Sequence, residues 1–93
     1  MIGYTPDAAR DVLRHQVRLS QFSTRSAEKF AAGLALAEVR IERRPMTYRR
    51  LKDGETRRYS FKINRVTYLV DYRIGPDCIV ILRVWHGRQD RPE

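Results

Sequence analysis

Apolar residues in the first half of the chain recur at the spacing of helices. Thr5 can cap a first helix, because its hydroxyl can accept a backbone N–H, and Pro6 fits the first helical position. The apolar stripe that follows consists of Ala9, Val12, Leu13 and Val17. Its three- and four-residue spacing predicts an amphipathic helix. His15 falls away from the centre of this stripe, so we expect it on the surface.

A second helix is predicted after a polar break at residues 20–24. Its apolar positions are Ala27, Phe30, Ala31, Leu34, Ala35 and Ile41. Pro45 ends the pattern, since proline cannot continue a helix. Gly33 and the alanines favour a close approach of the two helices, which we interpret as an antiparallel helical hairpin.

The period of the pattern changes to two from Arg57 onward, which is typical of strands. A two-residue turn at Asn64 and Arg65 predicts a hairpin. Its facing pairs are Ile63 with Val66, Phe61 with Tyr68, Tyr59 with Val70, and Arg58 with Asp71. Apolar residues then meet apolar residues, and the last pair is a cross-strand ion pair. A slip by one residue would break every pair, so the pattern favours this register.

A third strand is predicted at Cys78–Trp85, after a glycine–proline turn. It is apolar on both faces over most of its length, and we expect a central strand that is covered on both faces. Residues 49–55 are predicted to be an exposed connection, and the residues before Thr5 can add a short strand. The predicted fold is α+β: an N-terminal helical hairpin packed on a small antiparallel β-sheet, in a single domain spanning residues 1–93.

Positive charge is concentrated in the middle of the chain. The 93 residues include 19 Lys+Arg and 11 Asp+Glu, a net charge of +8. Residues 40–73 alone hold eleven basic and four acidic side chains. Such a patch favours an acidic partner, either nucleic acid or an acidic protein segment.

Several classes of protein are excluded or disfavoured by composition. No apolar run is longer than five residues, so a membrane-spanning helix is not expected. The single cysteine, Cys78, excludes an internal disulfide, and we expect it to be a buried, inert thiol. Since His15 and His86 are the only histidines, we expect no tetrahedral metal site, and we expect no cofactor. The N-terminus lacks the pattern of a signal peptide, which indicates a cytoplasmic protein.

The order of elements and the sequences of two strands resemble the RelE/ParE superfamily of type II toxin–antitoxin toxins. The strand Tyr68–Arg73 reads YLVDYR, and residues 83–90 read RVWHGRQD, which looks like the ParE-type terminal signature. The resemblance spans essentially the whole chain. It implies a small bacterial toxin, of the kind found in plasmid stabilisation modules, that is neutralised by a cognate acidic antitoxin. ParE-like members act on DNA gyrase, and RelE-like members cut mRNA in the ribosome.

The ParE-like branch implies a gyrase inhibitor that needs no catalysis. Binding to a large protein calls for aromatic and arginine anchors. The predicted target-binding residues lie in the last strand and the tail after it: Arg83, Trp85, His86, Arg88 and Asp90. An acidic antitoxin segment would dock on the basic middle of the chain. The predicted antitoxin-binding residues are Arg49, Arg50, Arg57 and Arg58.

The alternative is a RelE-like, ribosome-dependent mRNA endonuclease. His86 would exchange protons there, while Arg58 and Arg83 would stabilise the developing phosphate charge. RelE-like sites use a lysine-rich sheet or a tyrosine near the C-terminus, whereas no tyrosine follows Tyr72 here and the chain has only three lysines. The sequence therefore favours a protein that is not an enzyme. A basic nucleic-acid-binding module without toxicity is the third hypothesis.

Overall fold

Two helices joined by one residue form the first layer of the molecule. The computed structural model describes residues 1–93 and contains the helices α1, Pro6–Phe22, and α2, Thr24–Arg43. The Thr5 hydroxyl accepts the Ala8 N–H at 3.0 Å, which confirms the predicted cap. The polar break is shorter than predicted. Ser23 alone separates the two helices: its backbone N–H donates to the Leu19 carbonyl at the end of α1, and its hydroxyl accepts the Ser26 N–H at the start of α2.

A five-stranded sheet forms the second layer, in the order β1-β5-β4-β3-β2. Its strands are β1, Ile2–Tyr4; β2, Arg49–Arg50; β3, Arg57–Ile63; β4, Val66–Ile74; and β5, Ile79–His86. The α+β prediction is confirmed, and so is the short strand before Thr5. The prediction of a purely antiparallel sheet is wrong at one pairing, because β1 runs parallel to β5. The chain leaves β1 for the helices and returns beside it only at β5, and such a crossover makes neighbours parallel.

Part of the predicted connection at residues 49–55 is the edge strand β2. Arg49 pairs with Arg58, and Arg50 pairs with Arg57. Two residues are too few for an alternating pattern to reveal a strand, so this pairing was missed. The last strand begins and ends one residue later than predicted.

The hairpin of β3 and β4 has the predicted register. The Cα partners include Ile63 with Val66, Phe61 with Tyr68, Tyr59 with Val70, and Arg58 with Asp71. Asn64 and Arg65 form the turn, with φ of 49° and 72°. All four predicted facing pairs, including the ion pair, are therefore confirmed.

The helices pack on one face of the sheet. The core between the two layers includes Phe30, Leu34, Ile41, Tyr59, Tyr68, Val70, Tyr72, Ile81 and Val84. Gly33 faces the sheet, because a Cβ there would lie 2.8 Å from ring carbons of Phe61. Its small size thus lets α2 approach the sheet and does not serve helix–helix contact as predicted. None of the helices is long and apolar enough to cross a membrane.

The opposite face of the sheet carries charged residues and Trp85. β5 lies between two strands, but the helices cover only one of its faces, which corrects the expectation of a strand covered on both. The segment after β5 returns to the β2 and β3 side of the sheet. There the Pro92 carbonyl accepts a hydrogen bond from Arg58, and the Glu93 carbonyl accepts the Lys52 N–H.

Three further predictions about burial are corrected. His15 is buried, with 5% of its surface exposed, and does not lie on the surface. α1 packs against β5 with the side that carries Ala8, Asp11 and His15. The predicted apolar stripe is wrong for most of its length, because Leu13 and Val17 are 62% and 50% exposed. Cys78 is half-buried, because it precedes β5 at the end of the turn and does not lie inside the strand.

Candidate functional site

Three of the four predicted antitoxin-binding arginines form one exposed basic surface. Arg49 and Arg50 are exposed on β2, and Arg57 lies beside them on β3. The Arg57 guanidinium donates to the carbonyls of Met46 at 3.0 Å and Tyr48 at 2.9 Å, which holds it against the chain. We call Arg49, Arg50 and Arg57 the basic edge.

Exposed apolar side chains adjoin the basic edge. Met46 is 73% exposed and Ile74 is 38% exposed. Together with three arginines and one carboxylate they line a shallow depression of about 220 Å³; these charged residues are Arg50, Arg57, Arg73 and Glu55. The surface therefore combines positive charge with apolar contact area, which is what an amphipathic acidic segment requires.

Arg58, the fourth predicted arginine, is buried in an ion pair. Its Nε and Nη2 donate to the two carboxylate oxygens of Asp71 at 2.6 and 2.9 Å. Hydrogen bonding to that carboxylate raises the pKa of Arg58 above its already high value. The Trp85 indole N–H donates to the same carboxylate at 2.9 Å, and Trp85 is only 8% exposed. Arg58 and Trp85 therefore lie inside the domain, although both were predicted to contact partners.

Arg83 is held by a carboxylate from α1. Its Nε and Nη2 donate to Asp11 at 2.7 and 3.0 Å, and its guanidinium carbon lies 4.1 Å from the centre of the Trp85 ring. Burial raises the pKa of Asp11, but the hydrogen bonds from Arg83 and from the Val84 N–H outweigh burial and lower it. Asp11 is 1% exposed, so this ion pair connects α1 to β5 at the edge of the core.

His15 completes the attachment of α1 to β5. Its Nε2–H donates to the Val84 carbonyl at 2.8 Å, while Asp11 accepts the Val84 N–H at 2.9 Å. Burial lowers the pKa of His15, so the ring is neutral at neutral pH. The two side chains thus satisfy the backbone groups of Val84 on the side of β5 where β1 does not reach. Their spacing of four residues, which places them on the same side of a helix, was the available sequence signal.

A second basic surface lies where the β3–β4 hairpin meets the end of β5. The cleft has a volume of about 530 Å³ and is lined by Arg18, Arg65, Val66, Thr67, His86, Gly87, Arg88 and Gln89. We call it the hairpin cleft. It contains three arginines and a histidine, and no lining residue is acidic.

The backbone after β5 holds His86 at the wall of the hairpin cleft. The His86 N–H donates to the Gln89 side chain at 2.7 Å, and its Nδ1 accepts the Arg88 N–H at 3.1 Å. The proton of the neutral ring therefore lies on Nε2. Burial, followed by the positive charges of Arg18 and Arg88, lowers the pKa of His86.

Gly87 allows the close turn that forms this wall. Its N–H donates to the Thr67 carbonyl at 2.7 Å, and a Cβ at this position would lie 2.9 Å from the same oxygen. No larger residue fits without moving the backbone.

The predicted target-binding residues are only partly brought together. His86 and Arg88 line the hairpin cleft, and Asp90 is exposed close by in the chain. Arg83 and Trp85 are engaged with Asp11 and Asp71. No group of three or more His, Cys, Asp or Glu side chains is placed to hold a metal ion.

Sequence reasoning missed Arg18 and Arg65. Arg65 follows Asn64 in a two-residue turn, where glycine is the usual second residue, and that substitution was a usable signal. Nothing in the sequence pattern linked Arg18 to the hairpin, because α1 is far from β3 and β4 along the chain.

Two helices packed on a five-stranded mixed sheet are an architecture consistent with RelE/ParE-like toxins. A family model described as the ParE toxin of the type II toxin–antitoxin system parDE matches residues 2–91. The chain belongs to this family of toxins, and membership implies a protein antitoxin as its partner. No curated protein matches the chain.

Proposed function

We propose that this chain is a cytoplasmic toxin that inhibits DNA gyrase by binding to it, without catalysis, and that a cognate acidic antitoxin neutralises it. The observation that carries the choice of a non-enzymatic mechanism is the ion pairing of Arg58 with Asp71 and of Arg83 with Asp11. An arginine that is neutralised by a carboxylate is poorly placed to stabilise a developing phosphate charge. The two arginines that cleavage would need therefore hold the fold together.

The basic edge is the proposed docking surface of the antitoxin. Arg50 has no carboxylate partner in the chain, and Arg49 has only an exposed one, Glu93, at 3.7 Å. The exposed Met46 and Ile74 offer apolar contact beside them. An amphipathic segment can place its apolar side on these residues and its acidic side on the arginines. Arg58 supports this surface from below, through the pairing of β2 with β3.

Charge reversal at β2 tests this assignment. Arg49→Glu together with Arg50→Glu should slow association with the purified antitoxin at least tenfold at low salt and flatten its salt dependence, because steering by opposite charge is lost. Stopped-flow or surface plasmon resonance kinetics at several salt concentrations measures the association rate and its salt dependence. The matched control, Arg18→Glu with Arg65→Glu, changes the net charge equally at the hairpin cleft and should leave association nearly unchanged. Unaltered association of the β2 variant at low salt would refute the assignment.

The proposed gyrase-binding surface is the end of β5 and the tail after it. His86, Arg88 and Asp90 are available at the surface, and Arg83 is partly exposed. Trp85 contributes from the inside, since its ring packs under the Arg83 guanidinium and its N–H holds Asp71. This surface provides charged contacts at its rim and a fixed strand beneath them.

Ribosome-dependent mRNA cleavage is the second candidate, and one observation favours it. His86 lies in a cleft with three arginines, which is an environment suited to a phosphate group and a proton-transferring side chain. Purified toxin should be assayed side by side for inhibition of gyrase supercoiling and for translation-dependent mRNA cleavage. We expect inhibition of supercoiling and no cleavage. Cleavage that is abolished by His86→Gln, with supercoiling unaffected, would reverse the order of the two candidates.

A further inference from the structure

Three arginines of the hairpin cleft have no counter-ion within the protein. Arg58 and Arg83 are paired with buried carboxylates, whereas Arg18, Arg65 and Arg88 take part in none of the ion pairs of the chain. Their side chains also make no hydrogen bond to another protein group, yet all three line one cavity. Bringing like charges together costs free energy, which an anionic ligand would recover.

The turn of the hairpin places one of these arginines at a conformational cost. Arg65 has φ of 72°, a left-handed conformation that glycine adopts freely and arginine does not. Asn64, at φ of 49°, is the residue type that tolerates this region. Arginine at this position lowers folding stability relative to glycine, but it places a guanidinium group in the cleft. Strained residues of this kind concentrate at functional sites.

We propose that the hairpin cleft binds the phosphodiester backbone of nucleic acid. Arg18, Arg65 and Arg88 supply guanidinium groups, which match phosphate geometry, and His86 supplies its Nε2–H as a further donor. The site reads charge and spacing, since no Phe, Tyr or Trp lines it for stacking on bases.

The lining of the cleft favours phosphate over an acidic protein segment. Val66 is the only apolar residue among the eight that line it. An amphipathic peptide needs an apolar groove for its other side, and such contact area is present at the basic edge instead. The backbone of a nucleic acid presents repeated charges without apolar groups, which fits a cleft made almost entirely of polar residues.

The hairpin cleft shares His86 and Arg88 with the proposed gyrase-binding surface, but it is separate from the basic edge proposed for the antitoxin. Val66, at the start of β4, lines the hairpin cleft, and Ile74, at its end, lines the depression beside the basic edge. A nine-residue strand places the two surfaces roughly 26 Å apart. Nucleic acid in the cleft would therefore lie at the end of the sheet away from the antitoxin.

Fluorescence anisotropy with a short labelled DNA duplex tests the proposal on the intact toxin, without gyrase. Arg18→Gln with Arg65→Gln should weaken binding about tenfold or more and reduce the slope of log affinity against log salt by about 2, at ~0.9 per phosphate contact. Arg49→Gln with Arg50→Gln is the control, because it removes the same charge from the basic edge. Equal weakening by both pairs would mean that net charge alone drives binding and would overturn the proposal.

Arg65→Gly separates function from folding. Glycine relieves the backbone at this turn, so the melting temperature should rise while duplex affinity falls. Affinity equal to that of the unaltered toxin, in both Arg65→Gly and the Arg18→Gln variant, would refute a role for the cleft.

Competition identifies the chemistry that the cleft prefers. Single-stranded DNA and RNA of the same sequence show which nucleic acid is bound best, and any of them displacing the duplex supports the site. Polyglutamate is the opposing probe. Displacement by polyglutamate at a lower charge concentration than by DNA would assign the cleft to an acidic protein and overturn the proposal.

Discussion

The pair of Arg58 and Asp71 shows how burial changes the energetic role of a residue. On an exposed sheet face such a cross-strand pair contributes ~0.2–1 kcal/mol. Here both side chains are at most 6% exposed. Arg58 also donates to the Pro92 carbonyl, and Asp71 also accepts the Trp85 indole N–H. Removing one member leaves a buried charge without compensation.

We expect Asp71→Asn to lower the free energy of unfolding by roughly 3 kcal/mol, because Arg58 loses its counter-charge inside the protein. Urea denaturation measures the change. The double variant Arg58→Met with Asp71→Leu should recover much of the loss, since neither charge is then buried. A double variant as unstable as Asp71→Asn would contradict this account.

At the scale of elements, α1 covers an otherwise open part of β5. β1 pairs with β5 only from Ile79 to Ile81. Further along β5, the Thr5 hydroxyl donates a hydrogen bond to the Leu82 carbonyl. Two side chains of α1, Asp11 and His15, form hydrogen bonds with the N–H and the carbonyl of Val84. The helix thus takes the place of a neighbouring strand and protects this edge from pairing with other chains.

The stability of this attachment should depend on pH through His15. Burial lowers its pKa in the folded state. The hydrogen bond to the Val84 carbonyl and the charge of Asp11 oppose this, whereas Arg14 and His86 add to it. The unfolded chain then binds the proton more readily, so stability is fully present above about pH 6.5 and falls as the pH drops below it. Thermal unfolding between neutral and mildly acidic pH measures the effect.

Variants of the two histidines separate their contributions. The pKa of His86 is also lowered, so His86 contributes with the same sign. His15→Gln keeps a donor for the Val84 carbonyl but cannot be protonated, and it should flatten the pH dependence more than His86→Gln does. An unchanged pH profile in His15→Gln would show that the buried ring is not the cause.

At the scale of the whole molecule, positive charge exceeds negative charge at several surfaces, among them the basic edge and the hairpin cleft. The net charge is +8, and the buried ion pairs neutralise only the arginines beside the core. At both the basic edge and the hairpin cleft, arginines outnumber the nearby carboxylates. Such self-repulsion opposes the compact state and is relieved by salt or by acidic partners.

Raising the salt concentration from about 0.05 M to about 0.5 M should therefore raise the melting temperature of the isolated toxin. Screening weakens the repulsion between exposed arginines, while the buried pair of Arg58 and Asp71 is screened little. Arg18→Gln with Arg65→Gln should reduce the rise, because two of the repelling charges are gone. A melting temperature that falls with salt would mean that surface ion pairs outweigh the repulsion.

The sequence alone determined the features that depend on neighbouring residues. The cap at Thr5, the end of α2 before Pro45 and the hairpin register follow from capping chemistry, proline and a period of two, all of which act within a few residues. The family was also evident from strand sequences.

The tertiary structure alone decided which charged residues are used inside the domain and which remain free. Asp11 and Arg83 are 72 residues apart in sequence, and no periodicity indicates that one neutralises the other. The same holds for Arg18, which reaches Arg65 and His86 only because α1 packs beside the end of β5. Charge pairing over such separations depends on how the layers pack, since a pattern along the chain specifies which face of an element is buried but not what it meets there.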